Sequence, residues 1–440
     1  MVTSGTERRR QAATTGSMRA SVLASMAGKA AELVTLVLLA TVVPRVLGPR
    51  DYGRFSVPLT IVTLGSLALT LGGPTLLARF VPAAPTDERL GLARAIGLRL
   101  ATGRAVQLAA IALAAAGLAL VRPSTFPALD TAMVVAALAL SVGATLALQV
   151  TLGLGRTGAW SARYPLQNTV LIVAVLLLAD SAGGTGGLVA ILLASAAAAA
   201  FAGAVIAPVV RSPAERVAVP AGALRFGALQ AAGAALVQVT HRGGVLAVAV
   251  LAGSDVETGY AALATGIALG VTYAVLQAFT VSLPHLAEAH AGDPEAALRR
   301  LAGGLLVVLV PGALAVAVAL DRLVPLLFGD GYRAAVDAFE PAVALVVLAP
   351  ASSLVVQAAA LRFRPEVAAA TGATSAAAFV LTSVLAVPAW GAAGATTAAL
   401  AGTAAGTLLA GRLLPGAIGA RVGTATVLGV LGVLAVAGLT

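Results

Sequence analysis

Four ionisable residues stand inside otherwise apolar runs: Lys29 with Glu32, and the adjacent pair His241 and Arg242. A charge held away from water is costly unless it is paired or put to use. Lys29 and Glu32 are three apart and so share one helical face. They read either as a neutralised pair with the lysine reaching toward headgroups, or as a charged site that stays near neutral when empty. Arg242 sits deep in its run, where its planar guanidinium could grip a phosphate bidentately or bond a neighbouring carbonyl. His241 beside it is the group that switches charge near neutral pH, or else a neutral buried imidazole.

The elements that must position these groups follow from composition. Of 440 residues, 59% are apolar and only 10% charged, against roughly 25% charged in a soluble domain. So little charge cannot cover a water-facing surface, and the chain reads as a polytopic all-α integral membrane protein. It contains no cysteine, which removes disulfides and thiolate chemistry. The net charge of +10 comes from arginines scattered between apolar runs, which points to membrane topology and away from nucleic acid.

With about 20 residues per crossing, candidate spans fall near 22–43, 55–78, 105–121, 129–151, 164–180, 186–210, 225–251, 258–283, 301–320, 336–360, 367–388, 391–411 and 422–440. That is 12 helices plus one less secure segment at the chain end. The division reads as a disordered cytoplasmic tail (1–21), a first six-helix bundle (22–210), a linker (211–224), a second bundle (225–411) and an additional segment (412–440). With the N-terminus inside, 20 arginines face the cytoplasm, and six face out: Arg45, Arg50, Arg54, Arg122, Arg322 and Arg333. Arg79 and the series Arg89, Arg94, Arg99 and Arg104 lie on the inner side, either as a cationic approach for an anionic head or as topology alone.

Three of the outer arginines belong to VPRVLGPRDYGRFSV (43–57), a polar knot between two apolar runs. Gly48-Pro49 should end the first helix, with the next restarting at Gly53 and Asp51 pairing with Arg45 or Arg54. A fainter copy, VLAGSDVETGYAAL (250–263), follows the seventh span. Both fall on the outer side six spans apart, as in transporters built from two parallel halves.

These residues resemble a known family. VVPRVLGPRDYGRFSV is similar to the N-terminal signature of the Wzx-like polysaccharide-biosynthesis flippases, within the multidrug/oligosaccharidyl-lipid/polysaccharide (MOP) exporter superfamily. SDVETGYAALA, VSLPHLAE, LVPLLFGDGYRAA and VPAWGAAGATTAAL resemble later family motifs, in the family's order, between residues 43 and 400. The chain departs where members often carry Asp-Arg or Asp-Lys in helix seven, here His241-Arg242, and where a Gly-Arg turn is replaced by LRFRPE. The missing aspartate puts in doubt ion coupling through that carboxylate.

The resemblance implies a MATE/MOP-like fold, with two pseudo-symmetric six-helix bundles around a central cavity lined by helices one and seven. It implies a polyprenyl-pyrophosphate-linked oligosaccharide as substrate, moved by alternating access between leaflets of a bacterial plasma membrane. Lys29, Arg242, Arg79 and Arg45 become candidate substrate-binding residues, and Glu32 and His241 candidate coupling groups. No cofactor, metal or covalent catalysis is expected. Expected partners are membrane lipids, a polysaccharide polymerase and glycosyltransferases, with the chain itself monomeric. The alternatives are an ion-coupled drug or metabolite antiporter of the same superfamily, a polymerase or ligase acting on lipid-linked glycan, and a non-transporting scaffold. A cysteine introduced at Ser254 should react with a membrane-impermeant maleimide on intact cells; labelling only after lysis would reverse the topology.

Overall fold

A computed structural model describes residues 5–70, 72–181, 184–215, 217–289, 294–361 and 364–413, with a few positions between 430 and 435. Twelve α-helices follow in order: α1 Gly5–Thr70, α2 Gly73–Ala83, α3 Arg89–Val121, α4 Ala128–Gly153, α5 Thr157–Leu177, α6 Thr185–Arg211, α7 Ala223–Arg242, α8 Gly244–Leu251, α9 Asp255–Ala289, α10 Pro294–Phe328, α11 Val336–Leu361 and α12 Pro365–Leu413. Inside hydrocarbon every backbone group needs a partner, and a helix supplies them within one segment. Side chains such as Leu120 (83% exposed) and Val250 (81%) stand out from the bundle, as a lipid-facing surface requires.

Two apolar stretches are too long for one crossing. Ala27–Thr70 has 44 residues and Glu366–Leu413 has 48, about 66–72 Å of helix against about 30 Å of hydrocarbon. Each breaks at one glycine: Gly48 (φ 70°) and Gly391 (φ 53°). The contacts of α1 show that it doubles back. Lys29 and Gly53 are 24 positions apart, yet they touch Tyr273 and Gly259 of α9, only 14 apart. A straight helix would separate the first pair by about 36 Å and the second by about 21 Å. A reversal at Gly48 reconciles the two.

Among the described residues eight helices are long and apolar enough to cross a membrane, nine with the bent α7–α8 pair, and the breaks at Gly48 and Gly391 divide two of these into two arms each. The second arm of α1 is followed, past Gly72 (φ 89°), by α2, and α7 with α8 forms one crossing bent by 55° at Gly243. In the first half α4 packs on α6, and α1 and α6 on α5; in the second, α12 packs on α7 and α11. The halves meet chiefly along α1 and α9, with α1 and α2 also against α7.

Several helices exceed the expected spans. α3 begins at Arg89, α5 at Thr157 and α10 at Pro294, and α1 is already helical from Gly5, where a disordered tail is expected. Pro49 opens the second arm directly, so the helix does not wait for Gly53: proline has φ preset for a first helical position, where no N–H bond is needed. The segment 422–440 lies outside the described residues but for the few positions named. The early arginines of α3 bond the ends of other helices. Arg94 donates to the carbonyls of Val209 (2.9 Å), Val210 (2.8 Å) and Ser212 at the end of α6, and Arg89 to those of Pro82 (2.9 Å) and Ala84 (3.1 Å) at the end of α2. Arg364 does the same for Leu413 of α12 (2.9 Å). Terminal carbonyls lack partners within their own helix, and cations suit that end of the helix dipole.

The two copies of the repeat meet each other. Gly253 (φ 63°) has a positive φ as Gly48 does and precedes α9 as Gly48 precedes the second arm of α1. A side chain at Gly53 would overlap the carbonyl of Asp255, and one at Gly259 the carbonyl of Pro49. Each glycine thus touches the residue one turn earlier on the other helix, the reciprocity of a two-fold axis. Gly53→Leu should cost the closed contact about 1–3 kcal/mol, speeding modification of a cysteine placed at buried Ser56 by about tenfold per 1.4 kcal/mol. An unchanged rate would show that the contact does not hold this end shut.

Candidate functional site

The sequence-predicted pair Lys29 and Glu32 does form, and it is joined by the opposite half. Lys29 Nζ donates to Glu32 Oε2 at 2.8 Å and to Tyr273 Oη of α9 at 2.7 Å. The Glu32 side chain is 4% exposed and that of Lys29 25%. The lysine therefore does not reach out to headgroups; it bridges α1 and α9 across the seam.

Arg242 is the last residue of α7, at the bend before Gly243, where the terminal carbonyls favour a cation. Its Nε donates to Gln238 Oε1 at 3.3 Å, its one side-chain hydrogen bond among the described residues. Tyr164 of α5 lies within electrostatic range of both Arg242 and Tyr273. No hydrogen bond among the described residues joins the Lys29–Glu32–Tyr273 group of α1 and α9 to Arg242; Tyr164 is a group within range of both. Asn168 Nδ2 donates to Thr35 Oγ1 (3.2 Å), extending the polar seam between α1 and α5. His241 is 5% exposed and its Nε2 has no partner.

Sequence reasoning misses two members of this region and one neighbour. Tyr164 and Tyr273 are single tyrosines in apolar runs, with no periodic signal. Arg163 is assigned to a loop; because α5 starts at Thr157, it lies inside the helix, 2% exposed, with its guanidinium 4.8 Å from the Tyr164 ring. Arg79 and Arg45 do not join the cluster. Arg79 lies at the α2–α7 contact, 4.8 Å from the ring of Phe226, and Arg45 is exposed near Gly48. The cluster's cations are Lys29 and Arg242, and its paired carboxylate is Glu32; Arg163 turns instead to the carbonyl of Ser141 on α4.

At the Gly48 end a clasp joins the halves. Arg54 Nε donates to Asp255 Oδ2 at 2.8 Å, while Asp51, the expected partner, is 3.8 Å from Arg54 Nη1. Tyr332 Oη donates to the carbonyl of Pro44 (3.0 Å), one of the orphan carbonyls left where the first arm stops. Glu257 Oε2 accepts the N–H of Ala392 (2.8 Å), capping the second arm of α12 just past its reversal. At the other end, Lys29–Tyr273 and Arg79–Phe226 also join the halves. Contacts between the halves are thus present at both ends of the seam.

The Arg54–Asp255 pair is half exposed, so its contribution should be about 0.2–1 kcal/mol. Arg54→Ala should raise the population open at the Gly48 end by up to about fivefold, read as the distance distribution between spin labels on the two halves. Exchanging the charges, Arg54→Asp with Asp255→Arg, should restore the closed population; failure to restore it would show that the pair is incidental.

No protein-family model matches the chain, and no curated protein sequence does. Solved structures do. The lipid II flippase MurJ in an inward closed conformation superposes with a TM-score of 0.66 at 8% identity, over 94% of this chain and 91% of that one. An inward-facing multidrug resistance MATE family transporter gives 0.61 at 13% identity, over 92% and 95%. A MOP superfamily transporter from Pyrococcus furiosus, described as having a binding pocket of reversed polarity, gives 0.57 at 14% identity, over 95% and 94%. At such low identity the likeness concerns architecture, and it spans nearly the whole of each chain: this is a multi-pass membrane protein with the fold shared by the MATE transporters and MurJ.

Proposed function

We propose that the protein is a flippase, moving a polyprenyl-pyrophosphate-linked oligosaccharide from the cytoplasmic to the outer leaflet of a bacterial plasma membrane. The observation that carries this reading is the excess of cations at the seam: Lys29 and Arg242, both partly buried, with, among the described residues, the single carboxylate of Glu32. A polar region of that sign suits an anionic head and repels a cationic drug. Pyrophosphate oxygens would replace Gln238 as acceptor for Arg242 and Tyr273 as the second acceptor for Lys29, whose first is the Glu32 carboxylate. A guanidinium takes two such oxygens at once, and a lysine follows a moving charge. Net positive charge of the cytoplasm-facing loops supports an N-terminus on the inside.

Movement follows alternating access. Separating Lys29 from Tyr273 opens the seam at the cytoplasmic end, and separating Arg54 from Asp255 opens it at the other. No covalent step is needed. The proposed partners, a polysaccharide polymerase and glycosyltransferases, would make and use the lipid-linked glycan.

A second reading, an ion-coupled antiporter, is favoured by one observation. Glu32 is a carboxylate 3% exposed, bonded to a lysine that a proton or a cation could displace. Deletion of the gene separates the two readings. Lipid-linked sugar accumulating on the inner leaflet supports flipping; unchanged glycolipids with new drug sensitivity support the antiporter. Arg242→Ala and Lys29→Ala should each lower export at least about tenfold, the scale of one lost charge-assisted hydrogen bond, with folded protein retained. Wild-type export in both would remove these residues from the cargo's path.

A further inference from the structure

We propose that Arg163 holds a small inorganic anion of halide type inside the first half, between α4 and α5. The site does not depend on which cargo the protein carries. Its side chain is 2% exposed. Of its three guanidinium nitrogens, Nη2 makes one long contact, 3.4 Å, to the carbonyl of Ser141, and that oxygen already accepts the Thr145 hydroxyl at 2.7 Å. Nε and Nη1 have no partner. No carboxylate among the described residues pairs with Arg163, and Glu32 on the neighbouring α1 is taken by Lys29.

Guanidinium groups keep their charge in proteins, so the cation cannot be discharged on burial. Its two free nitrogens present a fixed fork of N–H donors. The Tyr164 ring face, 4.8 Å away, covers one side of the charge and supplies no acceptor for those donors. A water molecule could take the N–H bonds but would leave the charge uncompensated; an anion answers both. The surroundings suit a small one. Ser141, Val142 and Thr145 on α4 are each 4% exposed or less. The Ser141 hydroxyl donates to that of Ser195 at 3.1 Å, so rotatable hydroxyl donors stand beside the guanidinium. Gln167, one turn along α5, has its Oε1 without a partner, and its amide turned over presents N–H groups instead.

Purified full-length protein in detergent tests this. Its thermal midpoint should rise saturably with chloride relative to gluconate at equal ionic strength, and Arg163→Gln should abolish that dependence. Should that variant not fold, Arg163→Lys, which keeps the charge without the fork, should need about tenfold more chloride for half the effect. Crystals soaked in bromide should show an anomalous peak within hydrogen-bond distance of the guanidinium. Lys29→Ala and Arg242→Ala should leave the chloride dependence in place. No chloride effect in the wild-type protein, a bromide peak elsewhere only, or an effect lost with Lys29 or Arg242 would each overturn the assignment. The first would mean that water or Gln167 satisfies Arg163; the last would move the anion to the seam.

Discussion

The architecture turns on the approach of α1 and α9, where two backbones come close enough that neither Gly53 nor Gly259 has room for a side chain. In lipid no hydrophobic force draws helices together, so close backbone contact between small residues must do so. Each glycine also lies one turn inside a helix that starts just after a left-handed glycine, Gly48 or Gly253. The repeat therefore supplies the contact and the turn that aims it. Around this point the halves add Arg54 to Asp255 and Tyr332 to Pro44, bonds that can be exchanged for water when the end opens.

The electrostatics of the seam follow from the same arrangement. Because α1 and α9 run side by side from that contact, Tyr273 arrives opposite Lys29, and the bend of α7 delivers Arg242 to the region of Tyr164. Of the two cations only Lys29 has a carboxylate, Glu32; Arg242 has the neutral Gln238 oxygen. A neutral oxygen stabilises a cation less than a carboxylate does, so Arg242 is satisfied enough to fold and still has affinity to give to an anion.

Much of this was legible in the chain. Runs of apolar residues located the crossings, because the hydrocarbon thickness sets a length that composition must respect. The two polar turns marked the equivalent positions of the halves, and their glycines do share a positive φ. The true ends of α3 and α5 were hidden, since a helix can run on into the headgroup region once arginines become tolerable; that is why Arg163 passed for a loop residue. The breaks at Gly72 and Gly243 left no clear mark among so many glycines. Nor could spacing show that Arg54 prefers Asp255, 201 positions away, to Asp51 three positions away. Pairings across the seam depend on how helices are placed, which one-dimensional patterns do not encode.

The reversal of α1 spends a single residue, and that has a mechanical meaning. With no slack in the turn, the first arm cannot slide along the second; it can only swing about Gly48. Lys29 lies 19 residues down that arm, a lever of about 28 Å. A tilt of about 10° would carry its ammonium some 5 Å sideways, by the same rise per residue, while hardly disturbing the pivot. A gate at one face of the membrane could thus be worked by small rotations at the other, with Gly48 as fulcrum.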